Sequence, residues 1–143
     1  MSGVSKIMTG VGVITIPAAG LLLFHQIVER KVCGNFAELS AGNYEYVLSQ
    51  MATNFDHFFS GRHPLGGRRH SVNAMRRWFE RLYAINRNLR FKVLNVAVSG
   101  TLWNTNVVVE WIDRATLANG DSYENQGVHF VRMRWGKVIS LHA

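Results

Sequence analysis

Apolar residues at Ile27, Val28, Val32, Phe36 and Leu39 recur at helical spacing, which predicts an amphipathic helix with one buried stripe. Ala41-Gly42 marks its end, because glycine readily follows a helix. Asn43 is placed to cap a short second helix over "YEYVLSQMA". "TNFDHFF" leaves that helix as an extended segment. "SGRHPLGGRRH" then predicts a loop, with three glycines and one proline in a short span. Ser71 is a good N-cap for the clearest helix in the chain, "SVNAMRRWFERLYAI". Its apolar positions are Val72, Met75, Trp78, Phe79, Leu82 and Ile85; Arg76, Arg77, Glu80 and Arg81 fall mostly on the other side.

From Leu89 onward the period changes to two. "RFKVLNVAVSG", "NVVVEWIDRATL", "ENQGVHFVRMRW" and "VISLHA" read as strands, rich in β-branched residues. Asn119-Gly120 predicts a hairpin between the second and third, and Trp135-Gly136-Lys137 a turn between the third and fourth. Helices followed by an antiparallel meander argue an α+β fold.

The N-terminus alters this picture. No charged residue occurs from Ile7 to Val28, a run as long as the roughly 20 residues of a spanning helix. Residues 1–28 are therefore expected to be an apolar segment, either a membrane anchor or a packing helix, with the domain at 29–143. Lys6 is a thin basic start and no clean cleavage site follows, which argues against a secretory signal. If the segment spans, the cationic bulk behind it holds the domain on the cytoplasmic side. A single cysteine, Cys33, excludes an intrachain disulfide and a cysteine-rich zinc site.

The formal charge is +7, and arginines cluster from Arg62 to Arg90. No RNA-binding signature, Cys/His finger or repeat accompanies them, so no specific nucleic-acid partner is expected. A binder of anionic surfaces would show strong salt dependence.

The ordered phrases "SAGNYEYVL", "HPLGG", "AMRRWF", "VVEWIDRATLANG" and "YENQGVHFVRMRWGKV" resemble the SnoaL-like branch of the nuclear transport factor two-like superfamily, which includes ketosteroid isomerase-like proteins. The resemblance runs from about Val32 to Ala143. It implies a cone: a curved antiparallel sheet wrapped round N-terminal helices, often paired as a homodimer through the sheet. Family members include cofactor-independent isomerases, cyclases, hydrolases and dehydratases, and others that only bind a partner, so the fold does not name the chemistry. "EWID" resembles a limonene epoxide hydrolase strand. Asp113 falls on that family's aspartate, Trp111 stands where its arginine would be, and Ala143 lies near where a second carboxylate is supplied. That hydrolysis is therefore not expected here.

Residues two apart on a strand share a face. Trp111 and Asp113 thus point one way, and His129 shares a face with Val131 and Met133. If these strands pair, Asp113 and His129 meet in one apolar hollow as a candidate acid–base pair. The plainer alternative is a satisfied buried hydrogen bond in a non-catalytic binding or assembly domain. Trp78, Tyr83 and Trp111 are candidates to grip a small apolar carbonyl or enol compound. Asp56 and His57 on "NFDHFF" form a second polar pair near the expected pocket, with Phe59 beside them; Asp56 shares a face with Phe58, and His57 with Phe59. His57, His63 and His70 make a weak metal set whose spacing matches no familiar arrangement, and no cofactor motif is present, so neither metal nor cofactor is expected. Glu110 and Arg132 are expected to pair on the outer face.

Overall fold

A computed structural model describes residues 16–143. Helix α1 (Ala18–Ser40) follows Pro17, which cannot continue a helix backwards but suits its start. Val28, Val32, Phe36 and Leu39 form its buried stripe, as the spacing predicts. Ile27 lies one residue off that stripe and is exposed, with Leu22 and Leu23. Of the expected apolar segment, residues 1–15 lie outside the described residues, and the rest from Ala18 is the first part of α1. Among the described residues no helix is long and apolar enough to cross a membrane.

Helix α2 (Tyr44–Leu48) is shorter than the sequence suggests, because strand β1 (Met51–Phe59) begins at once. Asn43 does not cap it. Its side-chain amide donates instead to Glu38 at 2.8 Å, and its backbone N–H to the Glu38 carbonyl, so it closes α1. The loop contains one short strand, β2 (Gly67–Arg69), invisible to periodicity at three residues. In helix α3 (Val72–Ile85), the Ser71 hydroxyl accepts from Ala74 N–H at 3.2 Å, as expected of that cap.

Strands β3 (Asn86–Thr101), β4 (Asn104–Leu117), β5 (Ser122–Arg134) and β6 (Lys137–His142) complete one six-stranded sheet in the order β2-β1-β6-β5-β4-β3. The β3 to β6 run is the antiparallel meander foreseen from the turns. The β5–β6 turn places Trp135 and Gly136 both at positive φ, 52° and 76°, the backbone a tight hairpin demands. The sheet is mixed, with one parallel pair. β6 returns alongside β1 in parallel, with His57 opposite Leu141. This joins the helical half of the chain to the meander and curves the sheet round α1 and α3. The core between them holds Phe36, Phe55, Met75, Phe79, Leu89, Val107 and Val109.

Candidate functional site

A hollow remains between the concave face of the sheet and the helices, in two parts. The outer chamber, about 500 Å³, opens among the β1–β2 loop, the end of α3 and the β4–β5 hairpin. That volume lies within the range of ordinary small-molecule sites. The inner chamber, about 100 Å³, is lined mainly by apolar side chains of α1, α3 and the sheet. Phe59, Leu82, Trp111 and Asp113 line both.

Alternation along β4 sends Val107, Val109, Trp111 and Asp113 inward and buries all four. Asp113 is 7% exposed. Burial pushes its carboxyl up to about 6, and hydrogen bonding from Asn125 pulls the other way. Its Oδ1 is enclosed without a hydrogen-bond partner, as is Trp111 Nε1. Native interiors rarely leave such atoms unpaired, since each costs about 1–3 kcal/mol. Both atoms lie on one face of β4; Asp56 Oδ1, the third such atom among the described residues, lies off the hollow.

His129 also faces the inner chamber, packed edge-on against Trp111 at 5.1 Å and tilted to Phe36 at 5.6 Å between ring centroids. Among the described residues neither of its ring nitrogens has a hydrogen-bond partner. Burial lowers its pKa to about 4, so the ring is neutral. Asp113 and His129 share the concave face but are not neighbours. Asp113 stands opposite Asn125, and His129 opposite Val109. Four ladder positions separate them, roughly 13 Å along the strand, with Trp111 between. The direct acid–imidazole contact expected from the sequence is absent.

His57 enters from β1. It is 1% exposed and lies 4.9 Å from the Trp78 ring. Arg69, opposite it on β2, brings Nη1 to 3.5 Å from His57 Nδ1. A guanidinium only donates, so Nδ1 is the acceptor and the proton sits on Nε2. Burial first, and the Arg69 charge second, lower the His57 pKa to about 3. Trp78 donates to the Leu65 carbonyl at 2.8 Å and lines the inner chamber.

Two expected ligand contacts lie elsewhere. Asp56 points away from the hollow: it accepts from His142 at 2.8 Å and faces Arg68 and His70 at 3.4 and 3.5 Å. Burial of His57 forces this, because neighbours on a strand take opposite faces. Tyr83 donates its hydroxyl to the Leu39 carbonyl and stacks on Tyr44, so it braces α1 against α3 instead of lining the hollow. Glu110 and Arg132 share the outer face without meeting; Gln126 donates to Glu110 at 3.0 Å. His57, His63 and His70 also take separate partners. His63 bonds the Ser60 carbonyl and the Leu65 N–H, and His70 faces Asp56. No three-ligand metal cluster occurs among the described residues.

The sequence reading does not single out Asn125, Gly127 or Met51, which line the hollow. Asn125 and Gly127 follow from His129 by counting back in twos along β5. Gly127 carried a further signal, since glycine within a strand often marks a close approach.

Both imidazoles, His57 buried and His129 half-buried, make stability depend on acid. An unfolded histidine binds its proton near 6.5, whereas His57 and His129 in the fold hold out to about 3 and 4. Their contribution is complete above pH 6.5 and is lost as pH falls toward those values. Asp113 works in reverse: its contribution is complete below 3.8 and is lost as pH rises through about 6. Two larger shifts outweigh one. Urea unfolding is therefore expected to show stability falling from pH 7 to pH 5, with His57 contributing on the order of 2 kcal/mol by linkage. A His129→Leu variant should show a shallower fall; an unchanged slope would count against this account.

Residues 35–141 match the family model of the SnoaL-like domain. Among solved structures, an NTF2-like protein of unknown function from Burkholderia pseudomallei superposes with a TM-score of 0.71 at 19% identity, covering 80% of this chain and 86% of its own. TerC co-crystallised with polyporic acid gives 0.67 at 19%, covering 78% and 85%. A hypothetical protein with a ketosteroid isomerase-like fold from Catenulispora acidiphila, in complex with trimethylamine, gives 0.66 at 14%, covering 78% and 81%. At such identities the likeness establishes the fold. No curated protein matches this sequence.

Proposed function

Since this chain belongs to the SnoaL-like family, we propose that its hollow binds a small, mostly apolar carbonyl or enol compound and moves a proton on it, with Asp113 as the base. The observation that carries this is the pair of enclosed, unpartnered polar atoms, Asp113 Oδ1 and Trp111 Nε1. A carboxyl held near 6 is mostly ionised at pH 7 yet still basic enough to take a proton from carbon next to a carbonyl. Trp111 Nε1–H is a donor without an acceptor, suited to the oxygen on which charge develops. Neutral His57 and His129 supply polar ring edges without adding charge, and the apolar walls exclude water. His129 acts at the far end of the ligand, not as the partner of Asp113. The small ligands bound by TerC and the Catenulispora protein support a ligand in this hollow.

The test needs no knowledge of the product. A panel of simple ketones and 1,3-diketones is incubated in D2O with the protein, and loss of the α-proton signal is followed by NMR. Exchange above the buffer rate is expected for at least one member. A panel that binds and does not exchange would leave a non-catalytic binding domain.

A second reading concerns assembly. We infer that two copies pair through the outer face of the sheet. Val108 and Phe130 are direct cross-strand partners there, Val128 adjoins them, and all three are exposed, Phe130 at 59%. An apolar patch of this kind on a sheet face commonly marks an interface. Phe130→Asp is expected to convert a dimer to a monomer by light scattering with no change in circular dichroism. A monomeric parent protein would end this reading.

A further inference from the structure

The two chambers differ in chemistry as well as size. Ser60, Asn86 and Asn125 bring polar groups to the outer one. Val32, Phe36, Met75, Val109 and Met133 make the inner one greasy. Trp111 lines both, and its position is tightly fixed. It is 3% exposed, with Phe91 and His129 packed edge-on against its indole at 5.7 and 5.1 Å. Across the ladder it faces Gly127. A Cβ added there would stand 2.5 Å from Trp111 Cζ2 and 2.7 Å from Cη2, closer than atoms can come. Only glycine at 127 lets the indole lie over β5. Asp113, two residues along on the same face, sits at the same boundary.

We propose that Trp111, seated on Gly127, is a partition that measures the ligand. A compact, oxygen-bearing, enolisable head occupies the outer chamber beside Asp113, and a short alkyl tail occupies the inner one. This assignment rests on the reading that the hollow binds a small molecule, and it names the class. An apolar cavity of about 150 Å³ accepts benzene. The inner chamber, at about 100 Å³, takes less than a phenyl ring, about four carbons. Three methionines line it, Met51, Met75 and Met133, and their flexible thioethers adapt to branched or linear tails alike.

The probes are 2-alkylcyclohexanones with linear tails from methyl to octyl, titrated into the protein by calorimetry. Affinity should rise about fourfold per carbon, the value of one buried methylene, up to about butyl, and then level or fall. In Trp111→Ala, which joins the chambers, the break should move to longer tails. In Trp111→Phe, a milder change that keeps a core aromatic should alanine prevent folding, it should move by one or two carbons. A steady rise through octyl in the parent protein, a break that stays at butyl in the variants, or no binding of any probe overturns the proposal. Binding and proton exchange are separate readouts. A break at butyl without exchange would defeat the catalytic reading alone, and exchange without a break would defeat the partition alone.

Discussion

Asp113→Asn is expected to lower α-proton exchange by about 10²–10⁴-fold, the usual contribution of a positioned general base. The amide keeps the shape of the side chain and can still bond Asn125, so the fold should survive. It should even gain at neutral pH. Burial makes ionisation of Asp113 unfavourable, and a residue that cannot ionise escapes that cost. The variant should therefore unfold at higher urea than the parent at pH 7 while turning over far less. That opposition distinguishes a functional carboxyl from a structural one, because a structural carboxyl loses stability when it is replaced. Unchanged exchange would remove Asp113 from the mechanism.

The pH profile gives the same claim a second handle. A base must be ionised to act, so exchange should rise with pH, bend near 6 and flatten above it. The ordinary aspartate value of 3.8 would place the bend two units lower. His57 and His129 are already neutral throughout this window and add no limb of their own. The bend therefore reports Asp113, and it should be missing from whatever activity Asp113→Asn retains.

Local order was legible wherever a short-range rule governs it. Helical spacing identified the α1 stripe, Ser71 identified the start of α3, and the two turn dipeptides identified the meander. What escaped depends on partners far apart in sequence. The parallel β1–β6 pairing decides which of Asp56 and His57 faces inward, and nothing in "NFDHFF" encodes β6. The register of β4 on β5 is a different case, because the information was present. A hairpin centred on Asn119 pairs residues equidistant from it, so Asp113 must meet Asn125 and Val109 must meet His129. Alternation alone gives shared facing along each strand; the hairpin centre gives position along the ladder. Tyr83 differs for a simpler reason: an aromatic beside a core-facing stripe can brace two helices as readily as line a pocket, and its hydroxyl donates to the Leu39 carbonyl.

Val107→Asp is expected to abolish folding of the protein. Val107 is 1% exposed, its ladder partners are Val98 and Val131, and neither can pair a charge. An ion placed there keeps a desolvation penalty of several kcal/mol even after relaxation, on top of the methyl groups lost from the core. Domains of this size hold only about 5–15 kcal/mol in all. Two neighbouring substitutions calibrate the effect. Val109→Asp is equally buried but stands opposite His129, whose imidazole can take up a proton and answer the charge, so it should be milder and worsen above neutral pH. Val108→Asp, between them, points out of the sheet at 38% exposure and should fold normally while weakening self-association. Circular dichroism and urea unfolding on the three variants would then give collapse, partial loss and near-normal stability at consecutive positions. Equal effects at 107 and 108 would contradict the inward and outward assignment of β4, and with it the placement of Asp113 in the hollow.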